Sequence, residues 1–189
     1  MAVSEVGIAN RALQKLGAKR ISALTQDHPN ARSMNAAYER VRDAELRRYD
    51  WSFAIHRATV AADGNDPVWG DWNRYGLPND FIGLIRDDET NIGVDWKIEG
   101  LFILSKDAAP LEFRYIRRIE DPNYFDSLFI ESFACRLAME CCKEIADSTV
   151  DKESLKDDYK VAINEAKRRG AIEKGSAEFP EDTWITARL

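Results

Sequence analysis

The sequence predicts a mainly helical α+β protein: a four-helix bundle that carries a small inserted antiparallel β lobe and ends in an extended C-terminal tail. Four segments repeat apolar residues at helical spacing, whereas the stretch between the second and third alternates apolar and polar residues at the period of strands. The segment after residue 174 shows no helical period. We therefore expect residues 1–60 and 120–174 to form one discontinuous helical domain, residues 61–119 the β lobe, and residues 175–189 the tail.

The first two helices are predicted from their capping residues as well as from their apolar stripes. Ser4 is a favoured N-cap, and Gly17 fits the left-handed backbone that ends many helices. Pro29 suits the first position of the second helix, which is expected to run to about Tyr49. The charge pattern of this helix favours a solvated face with ion pairs one turn apart over a dedicated anion site. The charged residues are Arg32, Glu39, Arg40, Arg42, Asp43, Glu45, Arg47 and Arg48.

Four short runs are predicted to form the β lobe as an antiparallel meander. In the last run, Leu111, Phe113 and Tyr115 share one face at a period of two. Glu99 and Gly100 fit a two-residue hairpin turn, because glycine tolerates positive φ. The four runs are residues 81–86, 94–98, 101–104 and 111–116.

Residues 124–146 are predicted to form the central helix, around which the rest of the bundle packs. A surface helix keeps a narrower apolar face, so this one needs neighbours on several sides. Charged residues such as Glu131 and Arg136 interrupt it too often for a membrane span, which takes about 20 nearly uncharged residues. Its apolar residues recur every four positions, at Phe125, Phe129, Phe133, Leu137, Cys141 and Ile145. The fourth helix carries the stripe Leu155, Tyr159, Ala162, Ile163 and Ala166.

The composition is that of a folded protein made in a reducing compartment. The net charge of −6 and the pI of about 5.1 disfavour a stand-alone nucleic-acid binder, which usually carries a basic excess. All three cysteines lie in the predicted central helix, where they are interpreted as buried packing residues. The first residues contain no basic segment followed by an apolar run, so no signal peptide is predicted.

No motif in the sequence predicts catalysis, a cofactor or a bound metal. The chain has neither a glycine-rich phosphate loop nor a G-x-S-x-G element. The two histidines, His28 and His56, are far apart and are interpreted as structural. Asp87, Asp88 and Glu89 carry the oxygen ligands that Mg²⁺ or Ca²⁺ takes, but consecutive acids in a turn are more often solvated.

Two groups of apolar residues are candidates for an interface with a partner or another subunit. Trp69, Trp72 and Tyr75 lie close together in a predicted loop, where they suit an interface anchor or, as an alternative, a stacking platform for a sugar or base. The tail carries Phe179, Trp184 and Ile185, which need a surface to bury against. That surface belongs either to the same chain or to a partner.

A series of landmarks along residues 5–170 resembles the tail tubular protein A family of short-tailed bacteriophages, also described as head-to-tail adaptors or gatekeepers. Each landmark is a packing feature, and their order and spacing carry the resemblance. The landmarks are Leu16-Gly17, Ile21 and Leu24, Tyr38, Val41-Arg42-Asp43, Trp51-x-Phe53-Ala54, Tyr75-x-Leu77-Pro78-x-Asp80, Trp96-x-Ile98-Glu99-Gly100 and Tyr115. The tail after residue 170 has no counterpart in this series.

The resemblance implies a structural virion protein without catalytic activity or cofactor. Members form a dodecameric ring that joins the portal to the tail nozzle or tail tube protein, and the genome passes through its channel without specific binding. Such a protein is made in the cytoplasm of the host bacterium and ends at the head–tail junction of the virion. The acidic turn at residues 87–89, the aromatic loop and the tail are then the expected contact sites.

Two other functions compete with this interpretation. The first is a virion-associated carboxylate hydrolase acting on cell wall, for which the aromatic loop would be the sugar platform. The second is a head-completion adaptor of a long-tailed phage, which shares the ring but not the tail components. Lytic activity of a monomer would favour the hydrolase, whereas rings or assembly on a portal would favour an adaptor.

Overall fold

The computed structural model describes residues 3–65, 67–85, 95–145 and 152–173. Within these residues, 49% are helical and 20% lie in two three-stranded antiparallel sheets. The elements are α1 (Glu5–Lys15), α2 (Pro29–Leu46), β1 (Ile55–Val60), β2 (Asn73–Gly76), β3 (Phe81–Ile85), β4 (Trp96–Glu99), β5 (Phe102–Ser105), β6 (Leu111–Arg117), α3 (Ser127–Ile145) and α4 (Lys152–Glu173).

The predicted four-helix bundle with a small β lobe is therefore wrong, and the fold is a mixed α+β structure. Two strands were not expected. β1 lies in a stretch assigned to the helical part, and β2 lies in the predicted aromatic loop. Both are edge strands that exist through pairing with distant strands, β1 with β6 and β2 with β5. Such long-range pairing leaves little local signal in the sequence.

The helices form one layer around α3, as predicted for the central helix. α3 packs against α1, α2 and α4. Its first turn is capped by Asp126, whose Oδ1 accepts hydrogen bonds from the backbone N–H groups of Leu128 (2.8 Å) and Phe129 (3.3 Å). Phe129 is fully buried and meets Trp51 and Phe125 edge-on, with ring centres 5.0 and 4.9 Å apart. No helix in the described part of the chain has the length and apolar character needed to cross a bilayer.

Sheet 1, with strand order β1-β6-β3, is the middle layer of the structure. Its central strand, β6, directs Leu111, Phe113 and Tyr115 into a core shared with sheet 2, which confirms that these three residues share a face. Ile116 joins the helical core instead, together with Ile82 from β3. Sheet 2, with order β2-β5-β4, covers the far face of sheet 1. The molecule thus stacks helices, sheet 1 and sheet 2.

Two aspartates fix the end of β6, Asp43 to the helix layer and Asp80 to the start of β3. The Asp43 carboxylate on α2 accepts hydrogen bonds from Arg42 and Arg118, each at 2.9 Å. The Asp80 carboxylate accepts from the Tyr115 hydroxyl at 3.0 Å, and its backbone carbonyl accepts from the Arg118 N–H at 2.7 Å. Burial and the hydrogen bond to Asp80 raise the pKa of Tyr115 to about 12. The hydroxyl therefore stays protonated at neutral pH and can keep donating to Asp80.

One predicted surface charge of α2, Glu45, is instead buried among three helices. Its carboxylate is 1% exposed and accepts a hydrogen bond from the Tyr159 hydroxyl on α4, at 3.0 Å to either oxygen. Arg48 Nε lies 3.7 Å away, and the Arg48 and Arg136 guanidinium groups lie 5.5 and 5.9 Å from the Tyr159 ring centre. Desolvation raises the pKa of Glu45, although Tyr159, Arg48 and Arg136 oppose the shift. This cluster ties α4 to α2 and α3.

Substitution of Phe133, a fully buried residue of α3, tests the assignment of the core. Phe133→Asp should prevent folding, because it places an unpaired charge inside the helix layer. Phe133→Ala should fold but lower the free energy of unfolding by about 3–5 kcal/mol. The control is Val161→Asp on the exposed face of α4, with an expected change within about 0.5 kcal/mol. Urea unfolding followed by circular dichroism measures all three, and a stable Phe133→Asp variant would contradict the packing described.

The buried carboxylate of Glu45 predicts a pH dependence of stability. A raised pKa means that the folded chain binds more protons than the unfolded one, so stability falls as pH rises from the unfolded value, about 4.3, through the folded one. Glu45→Gln keeps the hydrogen-bond acceptor but cannot ionise. Its free energy of unfolding should rise relative to that of the unchanged chain as the pH increases across this window. A difference that is independent of pH in urea titrations would rule out a raised pKa.

Candidate functional site

The β4–β5 hairpin of sheet 2 is the element around which the candidate surfaces lie. Its turn is formed by Gly100 and Leu101, one residue later than predicted, since Glu99 pairs with Phe102. Gly100 has a φ of 60°, which a residue with a side chain rarely adopts. Leu101 stands at the tip with 76% of its surface exposed. The tight turn therefore presents an apolar side chain to solvent.

Residues alternate between the two faces of this hairpin. Lys97, Glu99 and Phe102 point to the outer face of sheet 2, as the pairing of Lys97 with Leu104 and of Glu99 with Phe102 requires. Ile98 and Ile103 point to the opposite face, where Ile103 is fully buried against sheet 1. The two faces of one short hairpin thus belong to two different surfaces of the molecule.

The outer face carries an exposed pair of residues that we call the Trp69 knob, formed by Val68 and Trp69. Val68 is 93% exposed and Trp69 82% exposed. Together with neighbouring side chains they border a cleft of about 360 Å³ on the outer face. The other lining residues are Pro67, Arg74, Lys97, Glu99, Phe102 and Leu104.

The two other predicted aromatic site residues are engaged within the chain. The ammonium groups of Lys97 and Lys106 lie 5.2 and 5.3 Å from the centre of the Trp72 ring, within cation–π range. Tyr75 is fully buried between the sheets, and its hydroxyl donates to the Asp107 carbonyl at 2.7 Å. Burial, with the nearby Asp107 charge, raises the pKa of Tyr75. Of the three aromatic residues, Trp69 is the one whose side chain is largely exposed.

A second surface, which we call the junction groove, lies where the hairpin meets the helix layer. It has a volume of about 580 Å³ and combines apolar side chains with Arg47 and with Arg118, which is paired with Asp43 at 2.9 Å. Arg47 is held by donating to the Ile82 carbonyl at 2.6 Å. The lining residues are Arg47, Leu77, Pro78, Asn79, Phe81, Ile82, Ile98, Gly100, Leu101 and Arg118. Sequence analysis missed this groove because its walls come from four separate parts of the chain.

A larger groove of about 700 Å³ lies beside the junction groove and shares Asn79 and Arg118 with it. Phe53 and Tyr124 provide its aromatic side chains, and Asp80, Glu120 and Asp121 face Arg117 and Arg118 across it. Arg117 is already paired with Asp80 at 2.7 Å. Opposite charges are therefore intermixed in this groove, and part of its charge is already neutralised within the chain.

The remaining predicted contact residues lie outside the described part of the chain. These are Asp87, Asp88 and Glu89 of the acidic turn and Phe179, Trp184 and Ile185 of the tail. Within the described residues, no group of three or more His, Cys, Asp or Glu side chains is placed to hold a metal ion.

Each histidine has a contact that explains its position. His28 Nδ1 accepts from the Asn30 N–H at 3.2 Å and so caps α2. The His56 ring meets Tyr115 edge-on at 5.7 Å.

No protein-family model matches this chain, and a search of the curated proteins also finds no match.

Glycine at position 70 is predicted to be essential for the shape of the aromatic loop. Gly70 has a φ of 87°, and a Cβ there would lie 2.7 Å from Trp72 Cδ1. Left-handed backbone alone costs a residue with a side chain about 1–2 kcal/mol. Gly70→Ala should lower the free energy of unfolding by more than this, because the new Cβ also collides with Trp72, and it should shift tryptophan fluorescence. Gly64→Ala is the matched control, because Gly64 has a φ of 76° and open space around it. Equal effects of the two substitutions would contradict the close packing of Gly70 on Trp72.

Proposed function

We propose that this chain is a structural virion protein, a head-to-tail adaptor whose copies form a ring between the portal and the next tail component. In this proposal the ring contains twelve copies, and the genome passes through its channel. In this proposal the protein catalyses no reaction and uses no cofactor. It is made in the cytoplasm of the host bacterium and functions at the head–tail junction of the virion.

The observation that carries the proposal is the concentration of exposed apolar side chains at the end of the structure formed by sheet 2. Val68, Trp69 and Leu101 are each more than three-quarters exposed, Val68 and Trp69 beside the outer face of the β4–β5 hairpin and Leu101 at its tip. Apolar residues scattered singly need no explanation, but a cluster of large ones marks a surface that is covered in use. Two such surfaces on different faces suit a subunit with two neighbours.

The resemblance to the tail tubular protein A family supports the proposal through residues that have structural roles. Asp43 joins α2 to the end of β6 through Arg118, and Asp80 joins the start of β3 to β6 through Tyr115. Trp51 donates its indole N–H to the Glu45 carbonyl at 3.0 Å and packs on α3. These landmarks thus hold separate elements of the fold together, which a shared architecture would require.

The net charge supports passage of DNA through the ring without tight binding. Each copy adds a formal charge of −6. Proteins that hold duplex DNA neutralise its phosphates with lysine and arginine and release counterions. A ring of acidic subunits has the opposite balance, so DNA can slide through the channel and is not retained there.

The structure favours the adaptor over a hydrolase that would use the aromatic loop as a sugar platform. Such a platform needs several exposed aromatic faces in one plane. The ammonium groups of Lys97 and Lys106 lie over the Trp72 ring, and Tyr75 is buried. Trp69 alone is a poor platform but a suitable interface anchor, since tryptophan is enriched among the residues that dominate binding energy.

Co-assembly with the cognate portal protein tests this function. The purified chain and the portal are mixed and imaged by cryo-electron microscopy, with a portal from an unrelated phage as the control. The expected result is a ring of this chain attached to one end of the cognate portal and absent from the control. Failure to bind the cognate portal, or lytic activity of the isolated chain on cell wall, would contradict the adaptor function.

A further inference from the structure

We propose that ionisation of the buried Glu45 carboxylate releases α4 from the helix layer while the other elements stay folded. This is a conformational device within one chain, and it does not depend on the proposed function. It goes beyond a pH dependence of overall stability, because it assigns the change to a single helix. The evidence lies in the contacts of Glu45, in the packing of α4 and in the position of α4 within the fold.

The groups around Glu45 come from three helices. The residue lies on α2, and its carboxylate accepts the hydroxyl hydrogen of Tyr159 from α4 at 3.0 Å. Arg48, also on α2, has its Nε 3.7 Å from Oε2. From α3, Ser132 and Arg136 also favour the ionised carboxylate, and the Arg136 guanidinium lies 5.9 Å from the centre of the Tyr159 ring. The group that α4 supplies is thus a neutral hydroxyl, whereas the two cations belong to helices that would stay in place.

This arrangement makes the docked position of α4 sensitive to the charge on Glu45. Burial at 1% exposure disfavours an ionised carboxylate, because water is excluded from it. Departure of α4 would let water reach the carboxylate and would leave Arg48 and Arg136 on the helices beside it. The ionised form therefore favours the open position of α4, and the protonated form favours the docked position.

α4 also buries little of its own surface. Ten of the 19 residues of α3 are buried, compared with five of the 22 residues of α4. Two of those five are alanines, which add little apolar area. Since apolar burial supplies most of the stabilisation of a packed helix, α4 is the helix that opens at the lower cost of the two. Its buried residues are Leu155, Tyr159, Ala162, Ile163 and Ala166.

The position of α4 allows it to leave alone. It packs chiefly on α3, it is the last element of the described chain, and it pairs with neither sheet. Two long hydrogen bonds join its C-terminal half to the segment after α2. The Tyr49 hydroxyl donates to the Lys167 carbonyl at 3.4 Å, and the Ser52 hydroxyl donates to the Glu173 carboxylate at 3.5 Å. Release of α4 therefore breaks few polar contacts and leaves every strand pair intact.

Hydrogen exchange of the full chain, followed amide by amide by NMR between about pH 4 and 8, tests the proposal. Rates are corrected for intrinsic exchange at each pH. Amides of α4 should be less protected than those of β6, because α4 opens without the rest of the fold. Their protection should fall about tenfold per pH unit between the open and docked pKa values of Glu45, since opening then releases one proton. Equal protection of α4 and β6, or α4 protection that is independent of pH, would overturn the proposal.

Two variants separate the role of Glu45 from general loosening of α4. Glu45→Gln keeps an acceptor for the Tyr159 hydroxyl but cannot ionise, so α4 protection should lose its pH dependence. Glu39→Gln, on the exposed face of the same helix, is the matched control and should keep it. Tyr159→Phe should lower α4 protection about two- to tenfold at the acidic end, as expected for the loss of one hydrogen bond. A pH dependence that persists in Glu45→Gln, or unchanged α4 protection in Tyr159→Phe, would contradict the release of α4 through Glu45.

Discussion

Sheet 1 must bury both of its faces at once, and the rest of the structure depends on this constraint. Strand β6 resolves it by directing Leu111, Phe113 and Tyr115 towards sheet 2 and Ile116 towards the helices. Neither remaining layer can be removed without exposing one of these faces to water. The helix layer and sheet 2 therefore hold fixed positions relative to each other, although the two layers have separate cores.

Polar contacts at the junction add direction to this packing. Hydrophobic burial is non-directional, but Asp43 and Asp80 fix the end of β6 against α2 and the start of β3 through Arg118 and Tyr115. The buried Glu45 fixes α4 in the same manner from within the helix layer. The junction groove lies directly beside these contacts, so its arginines are held in place before any partner arrives.

The parts of the fold that the sequence predicts are those with a strong local period. α3 shows an apolar repeat every four residues, and the alternation in β6 identifies the face that packs on sheet 2. β1 and β2 were missed because each is a partly exposed edge strand with polar residues such as Arg57 and Asn73. The buried position of Glu45 also had no local signal, since its partner Tyr159 lies more than a hundred residues further along the chain.

The candidate site was likewise predictable only where a single segment of the sequence carries the signal. Trp69 is recognisable in the sequence as a large aromatic residue in a loop, but its exposure, the covering of Trp72 by lysines and the burial of Tyr75 depend on pairing between β2 and β5. The junction groove is assembled from α2, the segment before β3, the β4–β5 turn and the end of β6. Only the folded chain brings these segments together.

The central claim is that one subunit uses both the outer face and the tip of the β4–β5 hairpin when it assembles. Hydrogen exchange of backbone amides, compared between the free and the assembled protein, tests this most directly. The account predicts slower exchange in two places at once, around Val68–Trp69 and around Gly100–Leu101, with little change along α3. Slower exchange at only one of these places, or only along the helices, would contradict it.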